Sequence, residues 1–487
     1  MKVLFAIPEN KSLFGDEGMT AHPHIGIAYL TAFLKKKGVE VSIFDNGIEK
    51  NAAKLVSLID EYKPDIIGVT IFSYCYAAAY NLIEKIRTRK NIPLVLGGPH
   101  VGAIKKKILE DTEADFAVKN EGEFTLFELI DSLKSNTSDF SKIDGLIWRK
   151  NGEIIENKDR PYICNLDELP FPDYEAFQIN RYACYKQKTL PLITSRGCPF
   201  GCNYCSVRLS MGQRFRPRSA ENVYEEIKLF YEQGWHNFDI NDDCFTLDKK
   251  RVECICDLIV DNKLKIRFQL YNGIRVDTVD LNLLRKMKRA GCYFISYGCE
   301  AGTDKVLKAI KKGITLKQVR DAVNWTNAIE IRNSVNFIIG HKEETYEDAL
   351  ETINFAKSLP TDFVNFYNLL PYPGTESYEW ARQHARFLVP SDSFLANISY
   401  RDNQPIFDTE EFTKEERHKV IALGFDLYRK KILTFRLGKA FGSLVYLITK
   451  INVINRLVTS FALINPLGRF IYTKLSRKSA RVEEGSI

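Results

Sequence analysis

The sequence predicts a protein of the α/β class, with two consecutive parallel sheets and a helical, basic C-terminal region. Short runs rich in β-branched residues alternate with amphipathic stretches over residues 2–134, and the alternation returns over residues 190–371. Nearly continuous apolar strands separated by helices are typical of parallel sheets that are covered on both faces. After Thr413 the alternation stops, and helical sequence with many Lys and Arg residues follows.

The first unit, residues 1–138, is predicted to be a Rossmann-like sheet, and residues 139–187 a linker with a hairpin. Ligands of such sheets bind at the carboxyl ends of the strands. In the linker, Asn151-Gly152 separates two apolar runs, which is a strong hairpin signal. Five strands are expected at residues 2–7, 39–44, 65–71, 93–97 and 115–118, with helices at 26–37, 52–62, 77–89 and 123–134.

The second unit, residues 188–400, contains six β/α repeats. Six repeats suit a partial, TIM-like (β/α)6 barrel, whose functional groups gather at the strand carboxyl ends. The pattern alone leaves an open doubly wound sheet as an alternative. Strands are expected at residues 192–195, 237–241, 267–271, 294–297, 335–339 and 363–369.

The C-terminal region, residues 401–487, is expected to be helical, and it holds most of the positive charge. The whole chain has a net charge of +7, while residues 428–487 contain 12 Lys and Arg residues against two Glu residues. Nucleic-acid binders usually carry basic residues on a folded face, so no nucleic-acid partner is expected. For residues 414–431 a helical cap on the barrel competes with an interfacial helix. Beyond Gly438 the pattern favours peripheral contact with a membrane surface or with a lipophilic substrate.

The composition is that of a core-forming protein, because 45% of the 487 residues are apolar and 27% are charged. These values exclude a mostly disordered chain, a collagen-like repeat and a small disulfide scaffold. No uninterrupted apolar run reaches the ~18–20 residues of a membrane span. The N-terminal apolar stretch is too short for a signal peptide. We therefore expect a cytoplasmic protein, with contact at the inner face of the membrane as a further expectation.

Three of the 11 cysteines form a motif with the spacing C-x3-C-x2-C: Cys198, Cys202 and Cys205. The other eight lie in apolar patterns, where a free cysteine behaves as a small hydrophobe. Thiolates are the soft ligands that zinc and iron–sulfur clusters require. A structural zinc site needs a fourth ligand, and the sequence offers no Cys or His nearby. The motif therefore favours an iron–sulfur cluster with one open iron.

This motif, with Tyr204 before its last cysteine, resembles that of the radical S-adenosylmethionine (SAM) superfamily. The resemblance implies that the three cysteines hold a [4Fe–4S] cluster and that the amino and carboxylate groups of SAM occupy the open iron. One electron, from a donor such as a flavodoxin or ferredoxin, would then cleave SAM to a 5′-deoxyadenosyl radical. Later strand ends also resemble the family's, which implies further cofactor-binding residues at Tyr204, Asp242, Arg275, Glu300 and Gly340. His341-Lys342 departs from the family's usual Leu-Pro, so the resemblance does not extend to that loop.

The first unit resembles the cobalamin-binding domain of the class B methyltransferases and of the anaerobic magnesium-protoporphyrin ester cyclases. Glycines at a strand end let a flat macrocycle or its nucleotide tail approach the backbone. The Asp-x-His-x-x-Gly signature is absent, so a protein histidine from that motif is not expected on cobalt. The resemblance implies cofactor-binding roles for Thr70, Ser73, Gly97, Gly98, His100 and Glu121.

The implied function is methylation of an unactivated carbon of a small, lipophilic molecule with SAM, the cluster and cobalamin. The alternative is a cyclisation or oxidative rearrangement of a tetrapyrrole or lipid without methyl transfer. A methylthiotransferase acting on transfer RNA would need three more clustered cysteines in the first unit, which has only Cys75, Cys164 and Cys184, widely scattered. A sensor or carrier of cobalamin has no need of the cysteine motif.

Overall fold

The computed structural model describes residues 1–9, 22–89, 92–390, 393–397 and 404–450. Its first sheet has seven strands in the order β2-β1-β3-β4-β5-β6-β7. β1 to β5 are parallel, and β6 and β7 run antiparallel to their neighbours. The strands are β1 Lys2–Ile7, β2 Glu40–Asp45, β3 Ile66–Thr70, β4 Leu94–Gly97, β5 Phe116–Val118, β6 Leu146–Lys150 and β7 Glu153–Glu156.

The hairpin predicted in the linker forms as β6 and β7, but it belongs to the first sheet. Phe116 of β5 pairs with Trp148 of β6, since the edge strand β5 has backbone groups that need partners. Helices cover the sheet between its strands: α1 Ile25–Lys36, α2 Asn46–Glu49, α3 Ala53–Tyr62, α4 Tyr76–Ile86, α5 Pro99–Ile104, α6 Lys107–Glu110 and α7 Glu123–Lys134.

The second sheet has six parallel strands in the order β15-β14-β13-β12-β11-β8. This order follows the chain, which is the arrangement of a partial (β/α)6 barrel. The strands are β8 Thr189–Leu192, β11 Asn237–Ile240, β12 Arg267–Ile274, β13 Cys292–Glu300, β14 Arg332–Ile339 and β15 Phe363–Asn368. Two short pairs lie outside it: β9 Ser195–Arg196 with β10 Arg216–Pro217, and β16 Arg386–Phe387 with β17 Phe407–Asp408.

The helices of the second unit follow its strands, as a β/α repeat requires. Several begin at a side-chain cap, such as Thr315 and Thr345, which form capping boxes with Gln318 and Asp348. The helices are α8 Ala183–Gln187, α9 Val207–Ser210, α10 Ala220–Glu232, α11 Lys249–Asp261, α12 Leu281–Arg289, α13 Asp304–Ala309, α14 Leu316–Ala328, α15 Tyr346–Ser358 and α16 Glu376–His384.

The C-terminal helices are α17 Lys414–Leu437 and α18 Lys439–Thr449. α17 packs on the second sheet: Arg417 is fully buried, and a Cβ on Gly424 would lie 2.6 Å from the ring of Phe366. Of the two alternatives for residues 414–431, the structure shows the helical cap. The basic and apolar sequence beyond residue 450 lies outside the described residues. Within the described ranges, no helix is both long and apolar enough to cross a membrane.

Candidate active site

The cysteine motif lies in the loop after β9, at the carboxyl edge of the second sheet. Gly197 opens the loop with φ +83°, and a Cβ there would lie 2.3 Å from the carbonyl oxygen of Arg214. Only glycine fits so close a backbone crossing. The amide of Gly197 donates to Asp243 Oδ2 at 3.0 Å. Burial raises the pKa of Asp243 to about 6. The carboxyl end of β11 therefore holds the first turn of the motif.

The far side of the motif is held by Asn203. Its backbone amide donates to the carbonyl of Ile310 at 3.2 Å, and its side-chain amide donates to the carbonyl of Ala309 at 3.0 Å. The amide of Ser377 in turn donates to the carbonyl of Asn203 at 3.1 Å. The loop is thus fixed to the end of α13 and to the start of α16, which limits how far its thiols can move.

The three thiols are partly buried and differ in their surroundings. A hydrogen bond from Cys244 lowers the pKa of Cys198 to about 7, whereas burial raises the pKa of Cys205 to about 11. Among the described residues, no three His, Cys, Asp or Glu side chains are close enough to hold one metal ion. The thiolates that hold an iron–sulfur cluster surround a group that is larger than a single metal ion, so they do not have to meet at one point. Three thiols with no fourth ligand in the loop fit a cluster with one open iron.

A buried ion pair lies beside this loop. Lys312 Nζ donates to Glu300 Oε1 at 2.9 Å and to the hydroxyl of Tyr204 at 3.4 Å, and both charged residues are under one-tenth exposed. Glu300 ends β13 with φ +74°, a strained conformation for a residue other than glycine. Burial would lower the pKa of Lys312, but the charges of Glu300 and Cys202 raise it above its ordinary value.

Arg275 follows β12 at the same edge of the sheet. Its guanidinium lies 3.6 Å from the ring centroid of Phe200, inside the cysteine motif, and it binds Asp277 through two hydrogen bonds at 2.9 and 2.8 Å. Nη1 of Arg275 is buried and makes no hydrogen bond with the described residues. Arg275, the predicted basic residue, therefore lies against the cysteine loop, and its Nη1 group is available to donate to a ligand.

Asp242 lies just after β11, at the strand end where it is predicted, and its carboxylate is bound by neighbouring residues of the protein. Its oxygens accept hydrogen bonds from the amide and hydroxyl of Thr194, both at 2.6 Å, and from the hydroxyl of Ser195 at 2.5 Å. Asp242 is 3% exposed. Through these hydrogen bonds it positions the chain that leads into the cysteine motif, and its role in cofactor binding stays a prediction.

The turn after β14 contains Gly340 and the unusual His341. Glu344 accepts hydrogen bonds from the amides of Gly340, at 2.5 Å, and His341, at 2.9 Å. The His341 ring lies 5.3 Å from the ring of Tyr204 and is 1% exposed. Burial lowers the pKa of His341 to about 3 and raises that of Glu344 to about 7. The loop that departs from the family's pattern is therefore a packed turn with a neutral imidazole beside the cysteine motif.

A cavity of about 250 Å³ lies between the carboxyl edges of the two sheets. Its wall is largely apolar, and residues from both units line it. Gly98 has φ +96°, and a Cβ on Gly97 would meet nothing within 4 Å. The predicted residues Thr70, Gly97, Gly98 and Glu121 line the cavity from the first unit, and Ile193, Arg196, Ser210 and Met211 line it from the second.

Ser73 and His100 bind each other, and neither is among the lining residues of the cavity. Nδ1 of His100 lies 3.0 Å from Ser73 Oγ, and its ring stacks on Tyr76 at 5.3 Å. Burial lowers the pKa of His100 to about 4. His24 lines the cavity but is also engaged, since Nδ1 accepts the amide of Ile27 at 3.2 Å and Nε2 lies 3.3 Å from Thr70 Oγ1. These contacts hold the loops around the cavity.

Glu121 belongs to a buried ion network that joins the two units. Its carboxylate lies 2.8 Å from Arg196 Nη1 and 2.7 Å from Arg216 Nη1, and it accepts the amide of Ile163 at 2.7 Å. Arg196 also binds Glu123 at 2.8 Å. Because Arg196 and Arg216 belong to β9 and β10, the network connects the end of β5 to the two short strands beside the cysteine motif.

Two family models match the chain. Residues 192–356 match the radical SAM superfamily, and residues 16–130 match the B12 binding domain. An uncharacterized methyltransferase of Pyrococcus horikoshii is 32% identical over 89% of this chain and 94% of its own length. The chain belongs to the radical SAM superfamily.

More distant relatives agree with this membership. The cytidylyl-2-hydroxyethylphosphonate methyltransferase of Streptomyces wedmorensis is 26% identical over 85% of this radical SAM protein and 88% of its own length. In fold, the chain is similar to the cobalamin-dependent SAM radical enzyme OxsB, with a TM-score of 0.73 and 17% identity over 98% of this chain and 75% of that one. The chain thus contains a radical SAM domain and a B12-binding domain, and its cofactors are a [4Fe–4S] cluster, SAM and cobalamin.

Three residues of the site in this radical SAM enzyme could not be predicted from the sequence. Lys312 looks like one of many surface lysines, Arg216 like a loop arginine, and Cys244 like a small core hydrophobe. The pattern Lys311-Lys312-Gly313 after an amphipathic helix gives no signal that only the second lysine points inward. Lys312 becomes recognisable only once β13 places Glu300 beside it.

Proposed function

We propose that this enzyme methylates an unactivated carbon of a small molecule, and that Cys198, Cys202 and Cys205 hold its cluster. When bound, the cluster and SAM supply a 5′-deoxyadenosyl radical, and cobalamin supplies the methyl group. The observation that carries the proposal is the cavity between the two carboxyl edges, because residues flanking the cysteine motif and glycines of the B12-binding domain line the same space.

The chain's own residues have three tasks in this proposal. The loop contacts of Gly197 and Asn203 hold the thiols in place. Thr70, Gly97 and Gly98 leave room for a flat macrocycle at the end of the first sheet. The apolar wall and the buried Arg196–Glu121 network exclude water from the space where radicals react.

The proposal is tested with anaerobically reconstituted full-length enzyme, SAM carrying a trideuterated methyl group, and a protein-free extract of the source cells. We expect 5′-deoxyadenosine and S-adenosylhomocysteine to form together, with an extract component gaining the whole labelled methyl group. Heat-inactivated enzyme is the control. Deoxyadenosine formed with an altered extract component, but without S-adenosylhomocysteine or label transfer, would instead favour the cyclisation alternative.

A lipophilic substrate and peripheral membrane contact remain predictions. The exposed side chains Phe441, Leu444 and Leu447 on α18, between Lys439 and Lys450, support them. An apolar face flanked by cations is typical of helices that lie on anionic lipid surfaces. A reductant such as a flavodoxin or ferredoxin likewise remains a prediction.

Filling the cavity should expel cobalamin without unfolding the protein. A Cβ on Gly97 meets no atom within 4 Å and the residue needs no positive φ, so Gly97→Leu places its side chain in the cavity. Overpacking costs about 1–3 kcal/mol, which is roughly 5- to 150-fold in cobalamin affinity. Cobalamin per chain is read from the absorption spectrum after desalting. Gly97→Ala is the matched control and should bind nearly as the parent; equal cobalamin content in the Leu variant would contradict the assignment of this cavity.

A further inference from the structure

A histidine of the B12-binding domain contacts a strand of the radical SAM barrel. Nε2 of His22 lies 2.8 Å from Oδ2 of Asp239. His22 belongs to the loop before α1, two residues ahead of His24, which caps α1 and lines the cavity between the two sheets. Asp239 is the third residue of β11. The pair therefore joins the cavity side of the first unit to a strand of the barrel.

The carboxylate of Asp239 faces the interior of the partial barrel. Its neighbours Phe238 and Ile240 lie on the outer side, where they line a small buried space together with side chains of α10 and α11. Because successive side chains of a strand point to opposite faces, Asp239 points inward. There its Oδ1 accepts a hydrogen bond from Gln269 of β12. The His22 side chain is 27% exposed, so a small molecule can reach the pair.

Asp239 determines which nitrogen of the His22 ring can bind a ligand. A carboxylate only accepts hydrogen bonds, so Nε2 of His22 carries a proton and donates it to Asp239. The neutral ring then has a lone pair on Nδ1. Nδ1 is shielded from water and has no hydrogen-bond partner among the residues that the structure describes. An unpaired acceptor of this kind costs free energy, which a ligand that donates a hydrogen bond to Nδ1 recovers.

We propose, on the basis of the proposed function, that His22 binds a hydroxyl group of the substrate through Nδ1, so the methylated molecule carries a hydroxyl. Carboxylate and phosphate groups are rejected at Nδ1, because ionised oxygens cannot donate a hydrogen bond. Both oxygens of Asp239 are engaged, so an ammonium group would find no carboxylate of its own there, whereas a neutral hydroxyl needs none. No bond is made or broken in this contact, which orients the substrate.

The first test measures where the proton of His22 lies. Full-length enzyme with ¹⁵N-labelled histidine, loaded with oxidised cluster and oxidised cobalamin, is studied by ¹⁵N NMR at neutral pH. The spectrum of His22→Gln assigns His22 among the seven histidines of the chain. We expect a proton on Nε2 and none on Nδ1. A protonated Nδ1 would overturn the proposal, because that nitrogen could not accept from a hydroxyl.

The second test uses the labelled-methyl assay with the protein-free extract. We expect His22→Leu to slow label transfer roughly 10- to 100-fold, the effect of one hydrogen bond lost at a shielded acceptor. Iron content, cobalamin content and deoxyadenosine formed without extract should stay at parental values. His22→Gln keeps a donor for Asp239 and an acceptor for the hydroxyl, so it should retain more of the rate.

His236→Leu is the matched control, because His236 is an exposed histidine directly before β11. It should transfer label like the parent. Parental label transfer in His22→Leu would overturn the proposal. An equal loss of label transfer and of deoxyadenosine formed without extract would overturn it as well, since His22 would then support the fold and not the substrate.

The third test examines the chemical class of the substrate with the parent enzyme. The labelled product is treated with acetic anhydride, and its mass is measured before and after mild alkali. We expect at least one acetyl group that alkali removes, because esters of hydroxyls hydrolyse under these conditions and amides of amines do not. Acetylation of the extract before the assay should abolish label transfer. A labelled product that forms only amides, or no adduct, would overturn the proposal.

The NMR measurement involves no methyl transfer, so the two proposals can fail separately. A parent enzyme that transfers no label, although His22 has its proton on Nε2, would reject the proposed function and keep His22 as an acceptor for a hydroxyl-bearing ligand. A labelled product without a hydroxyl would keep the proposed function and reject the role of His22.

Discussion

Replacing Cys202 with alanine should leave the enzyme without a stable cluster and without 5′-deoxyadenosine production. The motif offers three thiols within one loop, Cys198, Cys202 and Cys205, and the loop has no fourth cysteine that could replace one of them. Removing one thiolate leaves only two ligands for the cluster. When the cluster is lost, the open iron that would bind SAM is lost with it. We expect the rate of SAM cleavage to fall at least ~1,000-fold, which corresponds to ~4 kcal/mol in the activation free energy.

The measurement is iron and sulfide per chain after anaerobic reconstitution, followed by deoxyadenosine formed under reducing conditions. Cys254→Ala is the control, since Cys254 is an exposed free cysteine of the same chain on helix α11. It should keep the iron content and the activity of the parent. Parental iron content and SAM cleavage in Cys202→Ala would contradict the assignment of the motif as the cluster site.

The sequence was sufficient for the parts of this molecule that depend on local patterns. The alternation of apolar strands and amphipathic helices predicted two parallel sheets, and Asn151-Gly152 predicted the turn between β6 and β7. The cysteine spacing lies within one short loop, so its chemistry was also visible. Each strand, helix, turn or cysteine motif that carries such a signal is itself shorter than one β/α repeat.

Contacts between distant segments could not be predicted in the same way. Glu121 meets Arg196 and Arg216, which are 75 and 95 residues away in the chain. Both arginines are polar residues in loop-like sequence, where solvent exposure is the usual expectation. The strand predicted at residues 192–195 ends at Leu192, because the amide of Thr194 donates to Asp242 instead of to a neighbouring strand.

Replacing Glu121 with alanine should destabilise the protein more than any other single change at the surface between the two units. The substitution leaves the guanidinium of Arg216 without its carboxylate partner, and that side chain is 2% exposed. Arg196 keeps Glu123 at 2.8 Å. Breaking a buried ion pair from one side costs about 3–5 kcal/mol, because an uncompensated charge remains in the interior.

The cost is measured as the shift of the urea unfolding midpoint, with tryptophan fluorescence and cobalamin release as two separate probes. Glu128→Ala is the matched control, because the carboxylate of Glu128 is 43% exposed and pairs with Arg160. Such surface pairs contribute about 0–1 kcal/mol. Glu121→Gln keeps an acceptor for the amide of Ile163 and should fall between the two.

The network's position predicts that this loss extends to both cofactors. Glu121 lines the cavity. Its partners Arg196 and Arg216 belong to β9 and β10, the two strands that flank the cysteine motif. Glu121→Ala should therefore reduce cobalamin retention and cluster loading together, although Glu121 is neither one of the cluster thiols nor one of the glycines that line the cavity. A variant that loses stability but loads both cofactors like the parent would show that the network stabilises the interface without positioning either site.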